Sequence, residues 1–154
     1  SWKDMWLNEG FATYSQYMFK EWVYNKQQYL DDVKNTHEFL LHYAHLTEKQ
    51  YRAVSGVPHA YTYGDHVYKK GADVAHTLRG YMGDTAFFNA AKYVMIQKAY
   101  NSINSNEFRD LLQTSSGQNL HDFFNDWVFS GGWSHFSIDS VKYISLNEFE
   151  RYKL

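Results

Sequence analysis

Trp6-Leu7-Asn8-Glu9-Gly10-Phe11-Ala12-Thr13-Tyr14 opens the first long helical pattern of the chain. Continuing downstream, Phe11, Tyr14, Met18 and Trp22 recur at intervals that stack side chains on one face of an α-helix and predict a buried stripe. At about 100° per residue, Glu9 shares the opposite side with Ala12, Thr13 and Gln16. That face is small and partly polar. A carboxylate there suits a cleft wall or a solvated surface, and periodicity alone leaves both open.

The same period runs through most of the sequence, and with a single proline, Pro58, it predicts a mainly α body. Asn25 followed by Gln28 reads as a capping box opening a second helix, whose stripe is Tyr29, Val33, Leu40, Leu41 and Ala44. From about residue 47 to residue 64 the pattern lapses. Ser55-Gly56-Val57-Pro58 with Tyr61, Tyr63 and Gly64 make a long aromatic-bearing loop, of a length usually kept for function or left disordered. Asp65 is placed to cap a third helix carrying Val67, Val74 and Leu78 and ending near Gly80 or Gly83. Asp84 caps a fourth, with Phe87, Phe88, Ala91 and Met95 facing inward.

Asn104 with Glu107 is another capping box, for a short helix that Gly117 stops, and a last helix holds Leu120, Phe123, Phe124 and Trp127. Beyond Gly131-Gly132 the period shortens to two through Phe136, Ile138, Val141 and Tyr143, as in strands. The expected architecture is therefore a bundle-like assembly of about six helices over residues 1–132, then a short β segment over 133–154 that begins a following domain.

Composition narrows the function classes. Phe, Trp and Tyr make up 19% of the 154 residues, fourteen of them Tyr, so core and clefts are built from large rings whose hydroxyls need partners. A formal charge of −2 and the lack of any Lys/Arg run give no electrostatic footprint for nucleic acid or an anionic membrane. No apolar stretch reaches the roughly twenty residues that span a bilayer. Without cysteine there is no disulfide or thiolate metal site, but the compartment stays open, extracytoplasmic or cytoplasmic. Ser at position 1 in place of Met predicts a chain cut from a longer one.

The opening segment, Trp6 to Tyr14, resembles the stretch that follows the HExxH helix in gluzincin zinc aminopeptidases, the family of membrane alanyl aminopeptidase and leukotriene hydrolase. In that family the Glu of this stretch is the third zinc ligand, about eighteen residues beyond the second His. The resemblance implies that Glu9 is a zinc ligand and that the two His ligands stand upstream of Ser1.

Tyr68-Lys69-Lys70-Gly71-Ala72 is similar to the family's Y-x-K-G-A segment, which implies that Tyr68 donates to the oxyanion of the tetrahedral intermediate. A phenol suits that role because it is a neutral donor at pH 7. Gly71, one turn on, costs about 1 kcal/mol against Ala in a helix interior, so something packs closely there. Asp122-Phe123-Phe124-Asn125-Asp126-Trp127 before Gly131-Gly132 resembles the end of the family's catalytic domain, although Gly132-Trp133-Ser134 departs from the usual Gly-x-Pro.

His37-Glu38-Phe39-Leu40-Leu41-His42 imitates HExxH but fails on spacing, since its histidines stand five apart and diverge by about 140° on a helix. His42 and His45 are three apart without an obvious third ligand, and His59 and His66 flank the aromatic loop.

The resemblance implies part of a zinc-dependent aminopeptidase that removes amino-terminal residues from peptides, with the rest of the catalytic domain and the peptide substrate as partners. Upstream, the family's Gly-x-Met-Glu-Asn segment would hold the substrate's free amine. The rival class is a non-catalytic, peptidase-like scaffold or peptide-binding domain. A catalytic zinc needs three protein ligands and this sequence offers Glu9, so the chain alone is expected neither to hold zinc tightly nor to cleave peptides. Zinc titration followed by assay on chromogenic amino-acid amides checks this; stoichiometric tight binding with turnover would contradict it.

Overall fold

A computed structural model of the chain describes residues 1–133. After a 3₁₀ turn, Trp2–Asp4, the first helix, α1, spans Trp6–Val23. Helix α2, Lys26–Phe39, continues through a π turn, Leu40–Ala44, and a single α turn, His45–Thr47. The loop that follows contains one 3₁₀ turn, His59–Tyr61. A second π turn, His66–Lys70, runs directly into α3, Gly71–Met82. Helices α4, Asp84–Gln97, and α5, Ser105–Ser116, lead to the short α6, His121–Phe123, which ends in a third π turn, Phe124–Phe129.

The bundle of about six helices is therefore as expected, but the β segment is corrected. No strand occurs among the described residues, and most of the segment assigned to 133–154 lies outside them. Its one described residue, Trp133, has no regular structure and lies edge-on to His37, with ring centroids 5.3 Å apart.

Local chemistry sets the helix ends. The Asn25 side chain accepts the Gln28 N–H at 3.0 Å, and Asn104 and Glu107 form a reciprocal capping box at the start of α5. Gly117 ends α5 in the left-handed region, at φ 72°, where glycine carries no Cβ penalty. Asp65 and Asp84 do not cap. Asp65 binds Lys69 and Thr47, while Asp84 takes two hydrogen bonds from Arg79 of α3, at 2.8 and 2.9 Å.

Helix α1 packs chiefly on α3, and the contact turns on two glycines. A Cβ on Gly10 would stand 2.8 Å from the Gly71 Cα, and a Cβ on Gly71 would stand 2.9 Å from the Gly10 Cα. The helices cross backbone to backbone. This rotates α1 from the expected stripe: Trp6, Gly10, Tyr14 and Tyr17 are buried, whereas Phe11 and Met18 lie at the core edge and Trp22 is 68% exposed. Trp6 fills the space beside the crossing, packs against Phe11 and Phe108, and donates its indole N–H to Ser105 Oγ at 2.9 Å. Helix α4 is turned likewise, burying Phe87, Ala90 and Val94 and leaving Met95 exposed.

Gly80 of α3 is the natural control for Gly71, because a Cβ there meets nothing within 4 Å. Gly80→Ala is expected to stabilise the fold by about 1 kcal/mol through helix propensity alone. Gly71→Ala is expected to destabilise it by about 2 kcal/mol or more, since backbone must move to admit the methyl group. Denaturant melts of both variants decide, and a neutral Gly71→Ala would contradict the crossing.

Candidate active site

The glycine crossing brings the two sequence-selected residues together. Glu9 precedes Gly10 in the first turn of α1, where the helix dipole favours a carboxylate, and it is half-buried. Tyr68 sits in the π turn that precedes Gly71 and is likewise half-buried. The Tyr68 phenol is pushed above its ordinary pKa by loss of water and by the negative charge of the nearby Glu9 carboxylate. Insertions of the π type recur at functional sites because the extra residue re-aims a side chain.

Beside the pair lies an open cleft of about 460 Å³, walled by Thr13, Gln16 and Tyr17 of α1 and by Tyr63, Tyr68 and Lys69. The small polar face of α1 that carries Glu9 thus borders a cleft. Thr13 is tied back to the Glu9 carbonyl at 2.8 Å. Lys69 is held against the wall by Asp65 and by the Phe39 ring, 3.8 Å from its ammonium to the centroid.

The other histidines are placed elsewhere. His37 Nδ1 lies 3.0 Å from Asp73 Oδ2, and that hydrogen bond raises the His37 pKa against an opposing effect of burial. His42 packs on Tyr43, His45 on Tyr51 and His59 on Trp2. His66 is fully buried and paired with Glu48, so it does not border the cleft. Among the described residues no group of three or more His, Cys, Asp or Glu is arranged to hold a metal ion. No described helix is long and apolar enough to cross a membrane.

Two features escaped the sequence reading. One is the buried pair Glu48–His66. The other is Lys70, 1% exposed, whose ammonium is bound by the carbonyls of Arg52 at 2.7 Å and Gly132 at 3.1 Å. Burial lowers its pKa to about 8. Lys70 thereby fastens both the aromatic loop and the segment after α6 beneath the Tyr68 turn. In the sequence it is one of two adjacent lysines, and the resemblance to Y-x-K-G-A singles it out without saying that it is buried.

This chain belongs to peptidase family M1: the model of the peptidase family M1 domain matches residues 1–127. It is similar to a probable aminopeptidase 2 of Sulfurisphaera tokodaii, 24% identical over 160 residues, covering 95% of this chain and 18% of that protein. It is also similar to aminopeptidase M1-B of Oryza sativa subsp. japonica, 28% identical over 139 residues, covering 86% of this chain and 15% of that protein. The chain thus spans under a fifth of the length of these curated relatives. The fold is shared with a mutant M1 zinc metallopeptidase from Deinococcus radiodurans, solved with a Tyr-Ser-Ala substrate. The TM-score is 0.71 at 22% identity, over 88% of this chain and 29% of that one.

The His37–Asp73 contact has a defined pH signature. Because the folded-state pKa of His37 is raised, its contribution is fully present below the unfolded value of about 6.5 and is lost as pH rises through the folded value. His37→Gln is therefore expected to lower the melting temperature most at pH 5 to 6 and least at pH 8 to 9. A deficit that grows with pH would contradict the assignment.

Proposed function

We propose that this chain supplies one wall of the active site of a zinc-dependent aminopeptidase, with Glu9 as a zinc ligand and Tyr68 as the oxyanion donor. The observation that carries the reading is the nearness of Glu9 to Tyr68, which borders a cleft, where two helices cross at glycine. Membership of family M1 supports it, as does similarity to proteins named as aminopeptidases.

The residues fit zinc in part. Glu9 offers a carboxylate oxygen, a ligand type that zinc accepts at catalytic sites. The remaining ligands would come from outside the described residues, since three protein ligands are needed and no cluster of that size is present among these. When bound, zinc supplies a Lewis acid that polarises the scissile carbonyl and activates water.

The chain's own contribution is positional and electrostatic. Substrate lies along the cleft formed by Thr13, Gln16, Tyr17 and Tyr63, with the carbonyl of its first peptide bond toward Tyr68. As negative charge develops on that oxygen, the neutral phenol donates to it, a contact stronger in the transition state than in the ground state. An ordinary phenol is already protonated at pH 7, so Tyr68 needs no perturbation to serve as the donor.

In the full-length protein, Tyr68→Phe is expected to lower kcat about a hundredfold or more with KM little changed, as for loss of one oxyanion donor. Glu9→Gln is expected to lower the zinc content of purified protein at equal folded fraction, read by atomic absorption. An unchanged kcat in the first variant removes the role of Tyr68, and full zinc retention in the second removes that of Glu9.

A further inference from the structure

We propose that Glu48 is a positioning residue for the Tyr68 phenol, acting through His66 and the corner at Gly64; the inference rests on the reading of Tyr68 as the oxyanion donor. Glu48 follows the last turn of the extended α2, where its N–H reaches the Ala44 carbonyl at 3.0 Å. Its side chain is only 4% exposed. One carboxylate oxygen accepts the His66 backbone N–H at 3.1 Å and the other accepts from His66 Nδ1 at 2.8 Å. The carboxylate can only accept, so Nδ1 carries the proton. Among the described residues the far ring nitrogen of His66 is buried without a partner, and Glu48 is the one polar attachment of that side chain.

The same carboxylate occupies the space beside Gly64. A Cβ at Gly64 would collide with Glu48 Oε1, and the Gly64 carbonyl accepts the N–H groups of Val67 at 3.1 Å and Tyr68 at 3.2 Å. Gly64 therefore opens the turn that carries Tyr68, and its missing side chain is what admits Glu48. Arg52 stands behind Glu48: it donates to the Glu48 carbonyl at 2.8 Å, its Nε lies 3.8 Å from the carboxylate, and it lies over the Tyr61 ring, 4.0 Å from the centroid.

These contacts matter for Tyr68 because of the kind of turn it occupies. A π turn holds one residue more than an α turn, so relaxing His66–Lys70 to α geometry would rotate the preceding residues about 100° relative to α3. Gly71 is fixed by the crossing with Gly10, so any slip is taken up on the Tyr68 side. Glu48 anchors the other end of the turn at two atoms and resists that slip. The long loop after α2 thus has a mechanical use: it returns the chain from Glu48 to the residue that Glu48 holds.

The test uses the full-length, zinc-loaded protein carrying Glu48→Gln or Glu48→Ala, each alone and combined with Tyr68→Phe, with folding checked by melting curves. Glu48→Gln keeps the side-chain shape and carries the test if Glu48→Ala fails to fold. Glu48→Gln is expected to lower kcat about tenfold through misplacement of the donor, with KM changed by less than about twofold. In the Tyr68→Phe background its further effect is expected to fall below about twofold, the non-additivity of residues acting through one group.

Affinity for a phosphinic dipeptide analogue, whose anionic oxygen stands for the oxyanion, should fall in parallel, while affinity for the product amino acid is kept. An unchanged kcat in Glu48→Gln, or an equal loss with and without Tyr68, overturns the inference alone. An unchanged kcat in Tyr68→Phe overturns the reading of Tyr68, and this inference with it.

Discussion

The close approach of Gly10 and Gly71 is the constraint on which the rest of the molecule depends. Two helices usually lie 8 to 10 Å apart because side chains stand between them, and here neither helix has one at the contact. The approach sets the rotation of α1, so that Trp6, Tyr14 and Tyr17 enter the core and Glu9 emerges beside it. The same contact pins α3 at its first residue. The turn before that residue bears Tyr68, so the spacing between a carboxylate and a phenol from distant parts of the chain is set by backbone atoms, the least adjustable parts of a protein.

Around this crossing the chain buries a set of polar groups, most of them held by specific partners. Lys70 reaches two carbonyls from segments far apart in sequence, and Glu48 holds His66. Arg79 donates to Asp84, Glu21 and Tyr14, and the Tyr14 hydroxyl continues to Tyr29 and from there to His76. Buried polar networks of this kind add little net stability, but a half-satisfied one is costly, so they favour a single arrangement of the helices. In this fold the arrangement they favour is the one that keeps the cleft wall in place.

Much of the helical framework was legible because caps and breakers act locally. Asn25, the Asn104–Glu107 box and Gly117 do in the structure what their residue types predict. The buried faces of α1 and α4 were less legible. Periodicity weighs large apolar groups, so it favoured Phe11, Met18 and Trp22, whereas the true contact is made where a side chain is missing, at Gly10. Gly71 was read as a sign of close packing, but its partner is more than sixty residues away in sequence. The π turns were not legible either, since an inserted residue leaves no compositional mark. As candidate site residues, Glu9 and Tyr68 were legible through family resemblance, because on helical geometry alone one was a carboxylate on a non-core face and the other one tyrosine among fourteen. Glu48 and His66 follow no motif and meet only through the fold.

The Tyr68 phenol borders the cleft, the Glu9 carboxylate stands near it, and the glycine crossing fixes both; the meaning we propose for this arrangement is a metal bound by Glu9 and faced by Tyr68. Anomalous diffraction at the zinc edge, on crystals of the full-length protein with a phosphinic dipeptide analogue, tests it most directly. The account predicts a zinc peak at the Glu9 carboxylate and the Tyr68 hydroxyl within hydrogen-bond reach of the analogue's anionic oxygen. A zinc peak remote from Glu9, or a Tyr68 hydroxyl turned away from the analogue, would contradict it.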